Sequence, residues 1–212
     1  KKYILFDLDG TITDSALGIT NSVMYALKKF GIEETDRTKL YKFIGPPLTE
    51  SFEKFYGFTK EQSLDGVKYY REYYHDKGIY ENRVYDGLEE VLKKINEAGK
   101  QAIVATSKPE KYAKIIIDHF HLTQYFACVA GMEMDGGRGT KAQVITYALE
   151  KNDITDKSNV LMIGDREHDV IGAHENGLDC LGILYGFGSR KEFEEAGADY
   201  IRENVEDILQ FV

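Results

Sequence analysis

Lys2-Tyr3-Ile4-Leu5-Phe6-Asp7-Leu8-Asp9-Gly10 is the stretch that decides how the rest of the chain is read. Its apolar run is the pattern of a short buried strand, and Asp9-Gly10 is ordinary turn chemistry that ends it. Asp7 does not fit that account, because an acid at the mouth of a buried strand has to be put there for a reason. Two positions apart on a strand, Asp7 and Asp9 lean toward the same side as the chain leaves the sheet. Ligands of open parallel sheets bind outside the carboxyl ends of the strands, so the pair marks a candidate site.

Outward from this strand the pattern changes twice. Residues 15–82 read as helices: Ile19, Val23, Ala26, Leu27 and Phe30 share one face of a first helix closed by Gly31, and further helical segments follow at 38–43, 48–56 and 60–77, with Gly45-Pro46-Pro47 between the first two. From Gly87 onward helices (88–98, 110–119, 141–151, 170–176 and one after Ile201) alternate with strands (101–106, 128–130, 159–163, 179–183). Such alternation predicts an α/β fold, a doubly wound and mostly parallel sheet with helices on both faces. The helical block is then an insertion: a core domain of residues 1–14 and 83–212, and an all-helical cap of residues 15–82.

A chain of 212 residues that is 42% hydrophobic supports a core domain plus a small insertion without metal or disulfide staples. Cys128 and Cys180 each sit in an apolar run and read as buried, reduced thiols. The apolar stretch before Asp7 is too short for a signal peptide or a membrane span, which points to a cytoplasmic protein. A net charge of −9 argues against a nucleic-acid polymer or an anionic membrane as partner. It also requires that any anionic substrate meet locally placed cations.

Asp165 and Asp169, in Gly164-Asp165-Arg166-Glu167-His168-Asp169 after the apolar strand, form a second acidic cluster. Their spacing puts both on one side of a first helical turn, where acids are also common as simple helix starters. If the two clusters converge, carboxylates about 4 Å apart repel by about 4 kcal/mol at an effective dielectric of 20. A hard divalent cation compensates, and an all-oxygen set with few protein donors suits Mg2+, which shares its shell with phosphate. Thr106-Ser107-Lys108-Pro109 lies at the end of the strand that begins at Gln101, with hydroxyls and backbone N–H groups suited to phosphoryl oxygens, although Ser/Thr before Pro-Glu is equally a helix start. Lys141 follows Gly136-Gly137-Arg138-Gly139-Thr140 at a helix N-terminus, an unfavourable place for a cation unless an anion faces it. Thr140 intervenes between Gly139 and Lys141, so this is not a Walker loop.

In this order, Asp7-Leu8-Asp9-Gly10-Thr11-Ile12-Thr13-Asp14-Ser15, Thr106-Ser107-Lys108-Pro109, Lys141 and Gly164-Asp165 with Asp169 resemble the haloacid dehalogenase superfamily. Ile44-Gly45-Pro46-Pro47-Leu48 and Tyr185-Gly186-Phe187-Gly188-Ser189 resemble its phosphoglycolate-phosphatase-like group. The resemblance implies a Mg2+-dependent phosphatase of a small phosphorylated metabolite, with phosphoglycolate first and 5'-nucleotides, pyrophosphate or sugar phosphates as alternatives. It implies that Asp7 is the nucleophile and that Asp9 is the acid–base residue, with neighbouring carboxylates favouring the proton it must hold. Asp7, the backbone carbonyl of Asp9, Asp165 and Asp169 would hold Mg2+. Thr106 and Lys141 would hold the phosphoryl group, and Thr11, Gly45, Pro46, Ser107 and Lys108 would bind substrate. Rival readings are a sugar phosphomutase and, from another class, a receiver-like phosphorylatable switch, which the helical insertion and Asp9 disfavour.

Overall fold

The computed structural model describes residues 1–134 and 137–212, and the chain divides into two compact units, Asp14–Arg83 and a larger one of Lys1–Thr13 with Val84–Val212. In the larger unit six strands form one parallel sheet: β1 (Tyr3–Phe6), β4 (Gln101–Pro109), β5 (Phe126–Met132), β6 (Val160–Gly164), β7 (Asp179–Ile183) and β8 (Tyr200–Arg202), in the order β5-β4-β1-β6-β7-β8. Two short strands, β2 (Thr13–Asp14) and β3 (Arg83–Val84), pair where the chain passes between the units. Phe6 is in register with Val104 on one side and Ile163 on the other, so the ends of β1, β4 and β6 lie abreast. Strand order runs outward in opposite directions on the two sides of β1. This is a topological switch point, where the loops after adjacent strands separate and open a crevice.

Helices α4 (Leu88–Glu97), α5 (Glu110–His119), α6 (Lys141–Lys151), α7 (Glu167–Glu175) and α8 (Arg190–Ala196) flank this sheet. One core layer joins Leu5, Ile103 and Met162 of the central strands to Val144, Ile145 and Val170 of α6 and α7 and to Phe193 of α8, all fully buried. Each such side chain contributes about 1.5–3 kcal/mol relative to its exposed state, which fixes the helices that carry Lys141 and Asp169. Both cysteines are free and buried.

The structure departs from the sequence pattern at several places. β4 continues to Pro109 through an irregular register with β5, so Thr106 to Lys108 are strand residues and α5 starts without a side-chain cap from them. α7 begins at Glu167, so Asp165 precedes the helix rather than sharing its first turn with Asp169. The last helix expected after Ile201 is a 3-10 helix, Val205–Phe211, while β8 (Tyr200–Arg202) and α8 (Arg190–Ala196) have no counterpart in the sequence pattern.

The smaller unit contains α1 (Ala16–Lys29), a 3-10 helix (Arg37–Phe43), α2 (Leu48–Tyr56), α3 (Lys60–Asp76) and a 3-10 turn (Gly78–Tyr80). α1 buries Ile19, Val23, Ala26 and Leu27 and ends before Gly31, whose φ of +73° suits a residue without Cβ. Thr59 and Gln62 close a reciprocal capping box at the start of α3. The unit's core is aromatic: Phe52 meets Phe43 at 5.2 Å and stacks on Phe58 at 5.6 Å, and Phe30 lies 4.6 Å from Phe58. Tyr70 and Tyr74, one helical turn apart, are buried and stacked at 5.3 Å, so they serve packing. Among the described residues no helix is long and apolar enough to cross a membrane.

Candidate active site

Asp7 follows the last residue of β1, its backbone N–H still donating to Ile163 O at 2.9 Å, so the sheet ladder sets the direction of its side chain. Lys141 opens α6, anchored by a Thr140–Gln143 capping box. Its Nζ lies 2.7 Å from Asp7 Oδ1 and 2.7 Å from Asp169 Oδ1, and donates to Ala105 O at 2.9 Å. The lysine stem passes over Gly172 of α7, where an added Cβ would come within 2.6 Å of Lys141 Cγ. Burial works against the ammonium, yet Asp169 and Asp7 outweigh it and hold its pKa above the ordinary lysine range. The cation that looked misplaced at a helix N-terminus thus serves two carboxylates.

Asp165 and Asp169 stand on either side of the turn from β6 into α7. Asp169 Oδ2 accepts from Arg166 N at 3.1 Å, and Asp165 Oδ2 accepts from Phe187 N at 2.7 Å. Oxygens of Asp7, Asp165 and Asp169 all fall within 4.8 Å of one another. Burial, reinforced by Asp169 and Asp7, pushes the Asp165 carboxyl well above the usual carboxylate range, and burial also pushes Asp169 up, to about 6, against the pull of Lys141. Asp165 Oδ1 is buried without a hydrogen-bond partner. Three crowded acids, one lysine and an orphaned carboxylate oxygen form a donor set that fits a hard divalent cation.

Asp9 points to a different partner. Its Oδ2 lies 2.6 Å from Lys108 Nζ, both side chains being buried, while Oδ1 has no hydrogen-bond partner. The sequence reading surrounded Asp9 with carboxylates, whereas its immediate neighbour is a cation. Lys108 N donates to Thr106 Oγ1 at 3.2 Å, within the irregular end of β4, where the register with β5 shifts between Thr106 and Pro109. Thr11 is buried with an unpartnered hydroxyl, and its carbonyl accepts from Tyr185. Gly45, with φ +104°, and Pro46 belong to the smaller unit, between the Arg37–Phe43 3-10 helix and α2. Gly136 of the glycine-rich approach to Lys141 lies outside the described residues. Sequence reasoning missed the Asp9–Lys108 pair and the enclosure of Asp165 by Gly186 and Gly188, for which the glycine pattern at 186–188 was the available signal.

The fold and the residues at its switch point define a doubly wound α/β protein with an acidic, lysine-bearing crevice. The chain belongs to the haloacid dehalogenase-like hydrolase family, whose model matches residues 4–183. It is 46% identical to a 5'-nucleotidase of Pseudomonas aeruginosa over 189 residues, covering 89% of this chain and 85% of that protein. It is 36% identical to tyrosine-protein kinase PtkA of Mycobacterium tuberculosis, covering 87% of this chain and 62% of PtkA. A phosphoglycolate phosphatase of Vibrio parahaemolyticus matches at 22% identity, over 100% of this chain and 96% of its own. The crystal structure of a predicted phosphatase from Clostridium acetobutylicum superposes with a TM-score of 0.94 at 48% identity, covering 99% of this chain and 96% of that one. Family and relatives place the chain among the haloacid dehalogenase-type phosphatases.

Proposed function

We propose that the chain is a Mg2+-dependent phosphomonoesterase that passes the phosphoryl group of a small metabolite through Asp7 to water. The observation that carries this reading is the meeting of Asp7, Lys141, Asp165 and Asp169 at the ends of β1 and β6 and the start of α6. Asp7, Asp165, Asp169 and the Asp9 carbonyl would hold Mg2+. The ion supplies positive charge to the phosphoryl oxygens and to the carboxylates around them.

Lys141 fixes one oxygen of Asp7, which orients the carboxylate for attack on phosphorus. As the Asp7–phosphorus bond forms, the ester oxygen departs and takes a proton from Asp9. In the second half, Asp9 accepts a proton from water, the water oxygen bonds to phosphorus, and the bond to Asp7 breaks. Asp9 must leave Lys108 to do this, and incoming phosphoryl oxygens compete for that ammonium. Thr106, Ser107 and Thr11 are the neutral donors to those oxygens. Gly45 and Pro46, both in the smaller unit, are the further candidate substrate-binding residues.

Among substrates we rank nucleoside 5'-monophosphates ahead of phosphoglycolate, because the nucleotidase relative is 46% identical and the phosphoglycolate phosphatase 22%. The PtkA similarity favours a second reading in which the acceptor is a tyrosine hydroxyl in place of water. Phosphate release should be measured with and without Mg2+ across nucleoside monophosphates, phosphoglycolate, pyrophosphate and sugar phosphates, with ATP plus a tyrosine peptide as a separate arm. Mg2+-dependent release abolished by Asp7→Asn is the expected result. Release that survives Asp7→Asn, or none from any phosphate ester, refutes the proposal.

A further inference from the structure

Asp165 is enclosed by a loop far from it in sequence. Phe187 N donates to its Oδ2, and an added Cβ at Gly10 would fall 2.1 Å from that same oxygen. A Cβ at Gly186 would fall 2.4 Å from Asp165 Cβ and 2.4 Å from Gly10 O, and one at Gly188 only 2.0 Å from Asp165 O. No side chain fits at these three positions unless Asp165 shifts, and at Gly186 the Gly10 carbonyl must shift as well. Three anchors hold the loop: Leu184 N donates to Arg202 O at 2.8 Å, Tyr185 Oη donates to Thr11 O at 3.0 Å, and the Tyr185 ring meets the edge of Tyr85 at 4.8 Å.

Oδ2 of Asp165 is therefore committed to the loop and Oδ1 is buried with no hydrogen-bond partner, in a carboxylate that offers an oxygen within 4.8 Å of ones from Asp7 and Asp169. We propose that Tyr185–Gly188 is a positioning loop, which locks the Asp165 side chain so that Oδ1 is presented to a divalent cation before the ion arrives. This rests on the cation-dependent reading above and adds the residues that set the affinity for the ion. Partners that orient a ligand in this way carry about 10–100-fold in metal affinity, because a ligand already in place need not be ordered on binding.

The test is a calorimetric Mg2+ titration of the whole chain without substrate, in wild type, Gly186→Ala, Gly188→Ala and Tyr185→Phe. The alanine variants are expected to bind Mg2+ about 10–100-fold more weakly, with a loss of phosphate release that excess Mg2+ recovers. A role in stability alone would lower Tm and leave the Mg2+ dissociation constant in place. A folded Gly186→Ala protein with an affinity within about twofold of wild type overturns the proposal, since loosening the groups that orient a metal ligand ordinarily costs more. If the alanine variants do not fold, Tyr185→Phe decides. It removes one hydroxyl and keeps the ring, so weaker Mg2+ binding upholds the loop's role and unchanged binding overturns it. A wild-type chain that binds no Mg2+ overturns the cation-dependent reading itself, which separates the two failures.

Discussion

Lys108 Nζ lies 2.6 Å from Asp9 Oδ2, in a pair whose members are 9% and 8% exposed. In the proposed chemistry Asp9 and Lys108 face the same phosphoryl group, so this contact belongs to the resting site. Removing one member of a buried pair leaves the other charge uncompensated, at a cost of about 3–5 kcal/mol. Lys108→Met is expected to lower stability by roughly that amount in urea denaturation at pH 7. The double variant Asp9→Asn/Lys108→Met should then be more stable than the single one. Equal stabilities would mean that Asp9 does not depend on Lys108.

Asp169 gives the site a pH dependence. In the ion-free protein its carboxyl is pushed up to about 6, from an ordinary value of 3.8. Between these values the folded chain holds a proton that the unfolded chain has released. Stability therefore falls as pH rises through this window, and the penalty is complete above about 6. A divalent cation needs the ionised form and offsets the repulsion, so Mg2+ should raise Tm more at pH 7.5 than at pH 5. Equal shifts at both values would remove Asp169 from the ion's surroundings.

Much of this fold is legible in the sequence, for reasons that are local. α5, α6 and β7 have the boundaries that periodicity and Gly or Pro punctuation predict, because a buried face or a continuous apolar run is written in consecutive residues. Strand β8 spans three residues and exists by pairing with β7, which no local pattern encodes. α8 is short, seven residues, and its one start signal, Ser189 accepting from Glu192 N, adjoins the Tyr185–Ser189 motif and carries no long apolar period. Among site residues, the acids and Lys141 were visible as residue types out of place at strand and helix ends. The link between Asp9 and Lys108 was not, since it joins the ends of two neighbouring strands through side chains whose direction depends on the irregular end of β4.

Gly164 makes the position of Asp169 testable without changing any charged group. It ends β6, and an added Cβ there would fall 2.1 Å from Asp169 Cγ. Gly164→Ala should therefore push Asp169 out of reach of Lys141. Phosphate release should fall at least about tenfold, in line with small displacements of catalytic groups, while circular dichroism remains that of the wild type. Undiminished release in the folded variant would show that Asp169 can move without consequence.

Lys141 is the residue on which charge balance rests, since it is the ammonium between Asp7 and Asp169. Lys141→Met keeps most of the stem that packs over Gly172 and removes the charge, so its effect reports electrostatics more than packing. Without Mg2+ the variant leaves two buried carboxylates facing each other and is expected to lose about 3–5 kcal/mol in denaturation at pH 7.5. A bound divalent cation supplies charge to the same carboxylates, so adding Mg2+ should recover part of that stability but not turnover. Stability unaffected by the substitution, or a loss that Mg2+ leaves untouched, would show that the lysine and the ion do not share the same acids.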